Sequence, residues 1–333
     1  MKNRRWVLAS YPQSEANAST WAVVEADMPE LGPGQILVRT QWLSVDPYMR
    51  GRLNPASMKL GALMQGGGVG EVVASNHPGW DRGDLAEAPD VGWQEYAVLT
   101  PDLPGAAKVN KVDVGRAPAQ AALSWLGMPG LTAYFAMLEV GRPKVGDVVV
   151  VSAAAGAVGQ IAGQLAKLGG CRVIGIAGSE EKLAWCREIG FDDTINYRAE
   201  EDLRGAIARR CPNGVNVFFD GTGGAIHDAV LMNLALNARV AVVGKIAVAN
   251  NAADQDQGLR ASARLIATRA SLQGFVVYDW WHRRDEALSR LAAWGNDGTL
   301  KFKEDVIDGF LQVPQAYLRM MQGENLGKQL VRL

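Results

Sequence analysis

The chain has 333 residues, of which 48% are hydrophobic and 21% charged, with a formal net charge of −1. That length and apolar content can fill a large core divided over about two domains, and the near-zero charge offers no field to hold nucleic acid or an anionic membrane, so neither is an expected partner. Three cysteines, Cys171, Cys186 and Cys211, lack the paired spacing of a zinc site or a disulfide framework and read as buried or idle thiols. The opening MKNRRWVLASYP is basic but has no apolar stretch after it. The longest apolar run is cut by Gly and Gln short of a membrane span, so the expected address is the cytoplasm. Up to Leu126, short β-type runs (QILVRTQWLSV, GGVGEVVAS, WQEYAVL) are separated by Gly, Pro and Asp clusters, with no convincing helix before Pro118. From Gly127 to Gly298 the apolar runs DVVVVSA, CRVIGIA, DTINY, VNVFFDG, ARVAVVG and ASLQGFVV alternate with stretches of helical period. This is the pattern of an α/β doubly wound parallel sheet. The tail, LKFKEDVIDGFLQVPQAYLRMMQGENLGKQLVRL, reads strand, helix, strand and is expected to rejoin the first domain. The domains predicted are therefore a split, mostly β one, residues 1–126 with 299–333, and a nucleotide-binding one, residues 127–298.

The small residues after the first strand of the second region carry the chemistry. A strand over Asp147 to Ser152 runs into Ala154, Ala155, Gly156, Ala157, Val158 and Gly159, which is the dinucleotide fingerprint G-x-G-x-x-G with Ala in first place. Gly156 lets the backbone approach a pyrophosphate and Gly159 lets the helix pack on the strand. The N-terminus of that helix favours phosphate charge. A buried Ala/Gly-rich helix is the plainer alternative, but strand before, helix after and a second strand RVIGIA favour the nucleotide. An NAD site carries Asp or Glu at the end of that second strand, about 20 residues on. Here the position is Gly178, followed by Ser179 and Lys182, a hydroxyl and a cation able to meet a 2′-phosphate. The expected cofactor is NADP(H), although Lys182 beside Glu180 and Glu181 also fits an exposed helix face.

The stretches VDPYMRGR, GMPGLTAYFAMLEVG, VVVVSAAAGAVGQ, GIAGSEEK, INYR, GFVVYDW and ENLGKQLV resemble the zinc-independent medium-chain dehydrogenase/reductases of the prostaglandin reductase, leukotriene dehydrogenase, curcumin reductase and alkenal double-bond reductase branch, nearly end to end. The resemblance implies a split GroES-like catalytic domain with a Rossmann domain, usually as a homodimer. It places Ala154 to Val158 on the pyrophosphate and Lys182 and Tyr197 on the 2′-phosphate. It also puts Phe275, Val276 and Val277 on the nicotinamide-side strand, Asn325 at a late cofactor contact and Gly244 in a cofactor-side loop. Three departures stand out: Gly221 replaces a cofactor-contacting Asn, Ala249 in Gly244–Asn250 replaces a Tyr, and GWDRGDLAEAPDVGWQEYA is shortened.

His77, His227 and His282 lie in unrelated contexts without a nearby cysteine, so no metal is expected. Without a Lewis acid, oxidation of a simple alcohol is hard. Hydride addition to the β-carbon of an α,β-unsaturated ketone or aldehyde needs less help, because the charge lands on an enolate oxygen that hydrogen-bond donors can hold. Tyr48 is the expected protein donor, with packing aromatic as its plainer role, and Tyr278 is a weaker candidate. The reading is an NADPH-dependent C=C reductase of small unsaturated carbonyl compounds. Its rivals are a quinone reductase and a non-catalytic NADPH-binding protein.

Overall fold

A computed structural model describes residues 2–103, 108–251 and 255–333. The chain forms two compact units, Met1–Gly127 with Glu304–Asn325 and Gln329–Leu333, and Met128–Lys303 with Leu326–Lys328. In the first unit, β1 (Lys2–Leu8) and β2 (Trp21–Asp27) pair antiparallel. A second sheet begins with β3 (Ile36–Ser44), β4 (Gly68–Ser75), β5 (Leu85–Ala88), β6 (Tyr96–Leu99) and β7 (Asn110–Lys111). Ile36, Val38 and Thr40 of β3 turn inward at period two, as a half-buried strand requires. Gly70 permits the close crossing of β4 on β3, since a Cβ there would lie 2.2 Å from the Arg39 carbonyl oxygen. The aromatic heart of this unit is Trp21, Trp93 and Tyr317, with ring centroids 5.2 to 6.1 Å apart.

The second unit holds a six-stranded parallel sheet of β8 (Val148–Ser152), β9 (Arg172–Ala177), β10 (Asp193–Asn196), β11 (Val215–Asp220), β12 (Leu234–Val242) and β13 (Ser271–Gly274). Its helices are α1 (Met128–Phe135), α2 (Gly159–Leu168), α3 (Glu180–Glu188), α4 (Leu203–Arg210), α5 (Gly224–Leu231), α6 (Ser262–Thr268) and α7 (Arg284–Asn296). Val149, Val150 and Val151 are all fully buried, because helices cover both faces of a doubly wound sheet. The strand order β10-β9-β8-β11-β12-β13 reverses direction between β8 and β11. A ligand crevice opens at such a switch point, beyond the carboxyl ends of the strands.

The tail returns as β14 (Glu304–Asp308), α8 (Val313–Gln322) and β15 (Lys328–Arg332), and β15 joins β3 in the order β14-β15-β3-β4-β5-β7. Among the described residues no helix is long and apolar enough to cross a membrane.

Candidate cofactor site

The crevice starts where β8 ends. Ala153 turns the chain with a left-handed φ of 48°, after which Ala154 and Ala155 are buried while Gly156, Ala157 and Val158 stay partly open ahead of α2. Contact distances dictate the small residues here. A Cβ on Gly159 would lie 2.4 Å from the Ala153 carbonyl oxygen, and the ring end of Phe191 stands 1.9 Å from where a Gly163 Cβ would be. Ile161 and Leu165 face the core, whereas Leu168, in the same periodic row, is half exposed on the last turn. The result is backbone, without side-chain bulk, at the N-terminus of a ten-residue helix, where phosphate is favoured.

At the end of β9 the structure explains the missing acid. A Cβ on Gly178 would lie 3.0 Å from the Tyr197 ring and 3.1 Å from both the Tyr197 hydroxyl and Arg198 Nε. The space an Asp or Glu side chain would use is filled by Tyr197, over which the Arg198 guanidinium lies 5.7 Å from the ring centroid. Ser179 is the N-cap of α3, its hydroxyl accepting from the Lys182 N–H at 3.4 Å, so its first role is to start that helix one turn from the Lys182 side chain. Gly178 and Tyr197 thus meet at one corner, with Ser179 next in the chain and Lys182 on the first turn of α3. Arg198, which closes the INYR stretch, joins them although no spacing or periodicity marks it.

Two more loops complete the switch point. Asp220, at the end of β11, is fully buried, and its Oδ1 accepts from Ser152 Oγ, the Thr222 N–H and the Gly223 N–H, each at 3.0 Å. Burial alone would raise its carboxyl. Hydrogen bonds from His227, Gly223 and Thr222 outweigh this and hold it below the usual carboxylate range. The Gly244 N–H donates to the Asp220 carbonyl oxygen at 3.1 Å, and a Cβ on Gly244 would lie 2.7 Å from the Gly221 carbonyl oxygen. Gly221 itself has ordinary room, the nearest atom to a Cβ being the Ser152 carbonyl oxygen at 3.4 Å.

The tail also reaches the fingerprint. The Gly327 N–H donates to the Ala155 carbonyl oxygen at 2.9 Å, with φ 78° and only 1.9 Å between an ideal Cβ and the Lys303 carbonyl oxygen. Asn325, two residues earlier, is half-buried. Phe275, Val276 and Val277 lie just past β13 instead of within it. Phe275 donates from its N–H to the Val242 carbonyl oxygen at 3.0 Å, and a 3₁₀ helix, Val277–Arg283, then ends the strand. In the other unit, Tyr48 is 44% exposed on the short helix Pro47–Arg52, which the buried Met49 anchors.

A cavity of about 510 Å³ beside β10 is lined by charges that pair with one another: Arg187 with Glu180, and Arg210 with Asp193 and Glu200. Among the described residues no group of three or more His, Cys, Asp or Glu side chains is placed to hold a metal ion.

Two family models match the chain: "N-terminal domain of oxidoreductase" over residues 4–109 and "Zinc-binding dehydrogenase" over residues 157–293. The chain is 41% identical to a putative NADP-dependent oxidoreductase, YfmJ, of Bacillus subtilis, covering 98% of this chain and 96% of that protein. It is 37% identical to an NADP(+)-dependent 2-alkenal reductase of Nicotiana tabacum, covering 97% and 94%. The crystal structure of CurA in complex with NADPH from Vibrio vulnificus superposes with a TM-score of 0.91 at 36% identity, covering 99% of this chain and 98% of that one.

Proposed function

The chain belongs to the zinc-independent medium-chain dehydrogenase/reductases, in the branch of the prostaglandin, curcumin and alkenal double-bond reductases, and on that premise we propose that it reduces the C=C bond of α,β-unsaturated ketones or aldehydes with NADPH. The observation that carries the cofactor half is the corner over Gly178. Where NAD sites place an acid, this chain packs Tyr197 and Arg198, with Lys182 on the next helical turn. An acid there would repel a 2′-phosphate, whereas a guanidinium and an ammonium pair with it. Gly156, Ala157 and Val158 hold the pyrophosphate at the start of α2, and Gly244 and Gly221 line the facing loops.

NADPH supplies a hydride. As it would add to the β-carbon, the C=C electron pair would move toward the carbonyl and charge gather on the enolate oxygen, and the α-carbon would then take a proton from solvent water. The protein's task is to hold that oxygen, and we assign the donor to the Tyr48 hydroxyl, because Ala249 stands where the branch carries a second tyrosine. The substrate class rests on the relatives, which include an alkenal reductase.

We further read the enzyme as a homodimer joined through β13. All four residues of this edge strand are exposed, and none is charged or Pro, the usual guards of a free edge. Leu272 of the strand, and Ile266 on the preceding helix α6, 76% exposed, supply apolar surface. Three unbridged thiols suit the reducing cytoplasm. The test is NADPH oxidation with a panel of enones, enals and quinones. Enone-dependent turnover supports the reading, quinone-only turnover replaces it with quinone reduction, and tight NADPH binding without turnover replaces it with a non-catalytic role.

A further inference from the structure

The fully buried Asp220 carboxylate has its two oxygens in unequal positions. Oδ1 takes Ser152 Oγ and the Thr222 and Gly223 N–H groups, while among the described residues Oδ2 has one partner, His227 Nδ1, at 2.7 Å. His227 stands on α5 with its side chain 21% exposed, so it meets solvent while touching a group that does not. Ser152 Oγ in turn accepts from the Gly221 N–H at 2.9 Å, and the Asp220 carbonyl oxygen receives the Gly244 N–H at 3.1 Å. The Asp220 carboxylate therefore joins the end of β8 to the 220–224 loop, and the backbone carbonyl of the same residue holds the Gly244 turn.

We propose that His227 is a positioning residue for the cofactor crevice, fixing through Asp220 the loops that line the switch point of the sheet. The proposal rests on the reading that NADPH occupies this crevice. The charges that act on the imidazole are carboxylates: Asp220 from β11 in direct contact, and Asp228 on α5 and Asp256 ahead of α6 through charge alone. The hydrogen bond to Asp220 raises the imidazole against the opposing effect of burial. Its charge is present at low pH and lost as pH rises through that raised value. The neutral ring still donates from Nδ1, so the two contributions separate by pH.

NADPH dissociation constants, read by fluorescence from pH 5.5 to 9 on the full chain, test this with His227→Asn, which keeps a donor but does not titrate, and His227→Leu, which keeps neither. At the alkaline end Asn is expected to bind like wild type and Leu roughly tenfold more weakly, the size of a lost hydrogen bond to a charged group. Toward acid, wild type gains on Asn. The 2′-phosphate itself titrates near pH 6, so the ratio of the two proteins at each pH is the readout. A ratio of one throughout, with Leu binding like wild type, overturns the proposal. If Leu does not fold, the Asn to wild-type ratio decides alone. Wild type that binds no NADPH at any pH overturns the underlying reading as well.

Discussion

Arg198 lies over Gly178 from the turn after β10, where its N–H donates to Asn196 Oδ1 at 3.1 Å, and Lys182 stands on the first turn of α3. A charge-assisted hydrogen bond is worth about 1.5–3 kcal/mol. Lys182→Ala and Arg198→Ala are each expected to raise KM for NADPH roughly tenfold to hundredfold while leaving KM for NADH nearly unchanged; equal effects on both cofactors would remove these residues from the 2′-phosphate. Tyr48→Phe is expected to lower kcat about 100-fold with unaltered NADPH affinity, the loss of one oxyanion donor. Near-normal turnover would show that the enolate is held by other groups. The thiols are expected to be slow toward Ellman's reagent at neutral pH, since burial pushes Cys186 up to about 12 and Cys211 up to about 11. At this scale the sequence revealed Gly156, Gly159 and the missing acid at Gly178, because each follows from spacing. Arg198 escaped because only a turn brings it over Gly178. The Asp220–His227 pair escaped because a seven-residue separation across a strand end and a helix has no periodic signature.

Elements were legible wherever one period dominated. The six parallel strands and the α2 helix follow from alternating apolar runs, and the tail's strand, helix, strand order is the observed one. Less legible was what ends an element: the Phe275 N–H makes the last bond from β13 to β12, and the 3₁₀ helix that begins at Val277 then carries the chain off the ladder. Also hidden was a side-chain ladder on α2. Gln160 and Gln164, both buried, each donate to and accept from the backbone of the 301–303 stretch: Gln164 with Lys301 and Gln160 with Lys303, at 2.8 to 3.0 Å. These amides act as a strand edge one turn apart. With the Gly327 latch on Ala155, they tie the segment before β14 and the start of β15 to the fingerprint. Gly327→Ala meets both a positive φ and a 1.9 Å contact with backbone, so a loss of at least about 2 kcal/mol in stability is expected in chemical denaturation, together with weaker NADPH binding. Gly244→Ala pushes on the Gly221 carbonyl and is expected to weaken NADPH binding with a smaller stability loss. Gly221→Asn fits without clash and is expected to tighten it. A Gly244→Ala protein with wild-type affinity would place the cofactor away from these loops.

Across the whole molecule, pH acts on both sides of Asp220. Its depressed carboxyl contributes stability that is present above the ordinary carboxylate range and lost as pH falls through the folded value. His227, raised by the same contact, contributes most below its ordinary value and loses that share as pH rises through its folded one. Thermal melting of wild type against His227→Asn is therefore expected to differ most in mildly acidic solution and to converge at alkaline pH. Light scattering is expected to find a dimer that Leu272→Lys dissociates; a wild-type monomer would remove β13 as an interface. Dialysis against a strong chelator is expected to leave activity and stability unchanged, and stoichiometric zinc would contradict this. The central claim concerns which carbon receives the hydride. The direct measurement is turnover of a simple enone with NADPH deuterated at the transferring position, read by NMR of the product. The account predicts a saturated ketone with deuterium on the β-carbon. An allylic alcohol with deuterium on the former carbonyl carbon would contradict it.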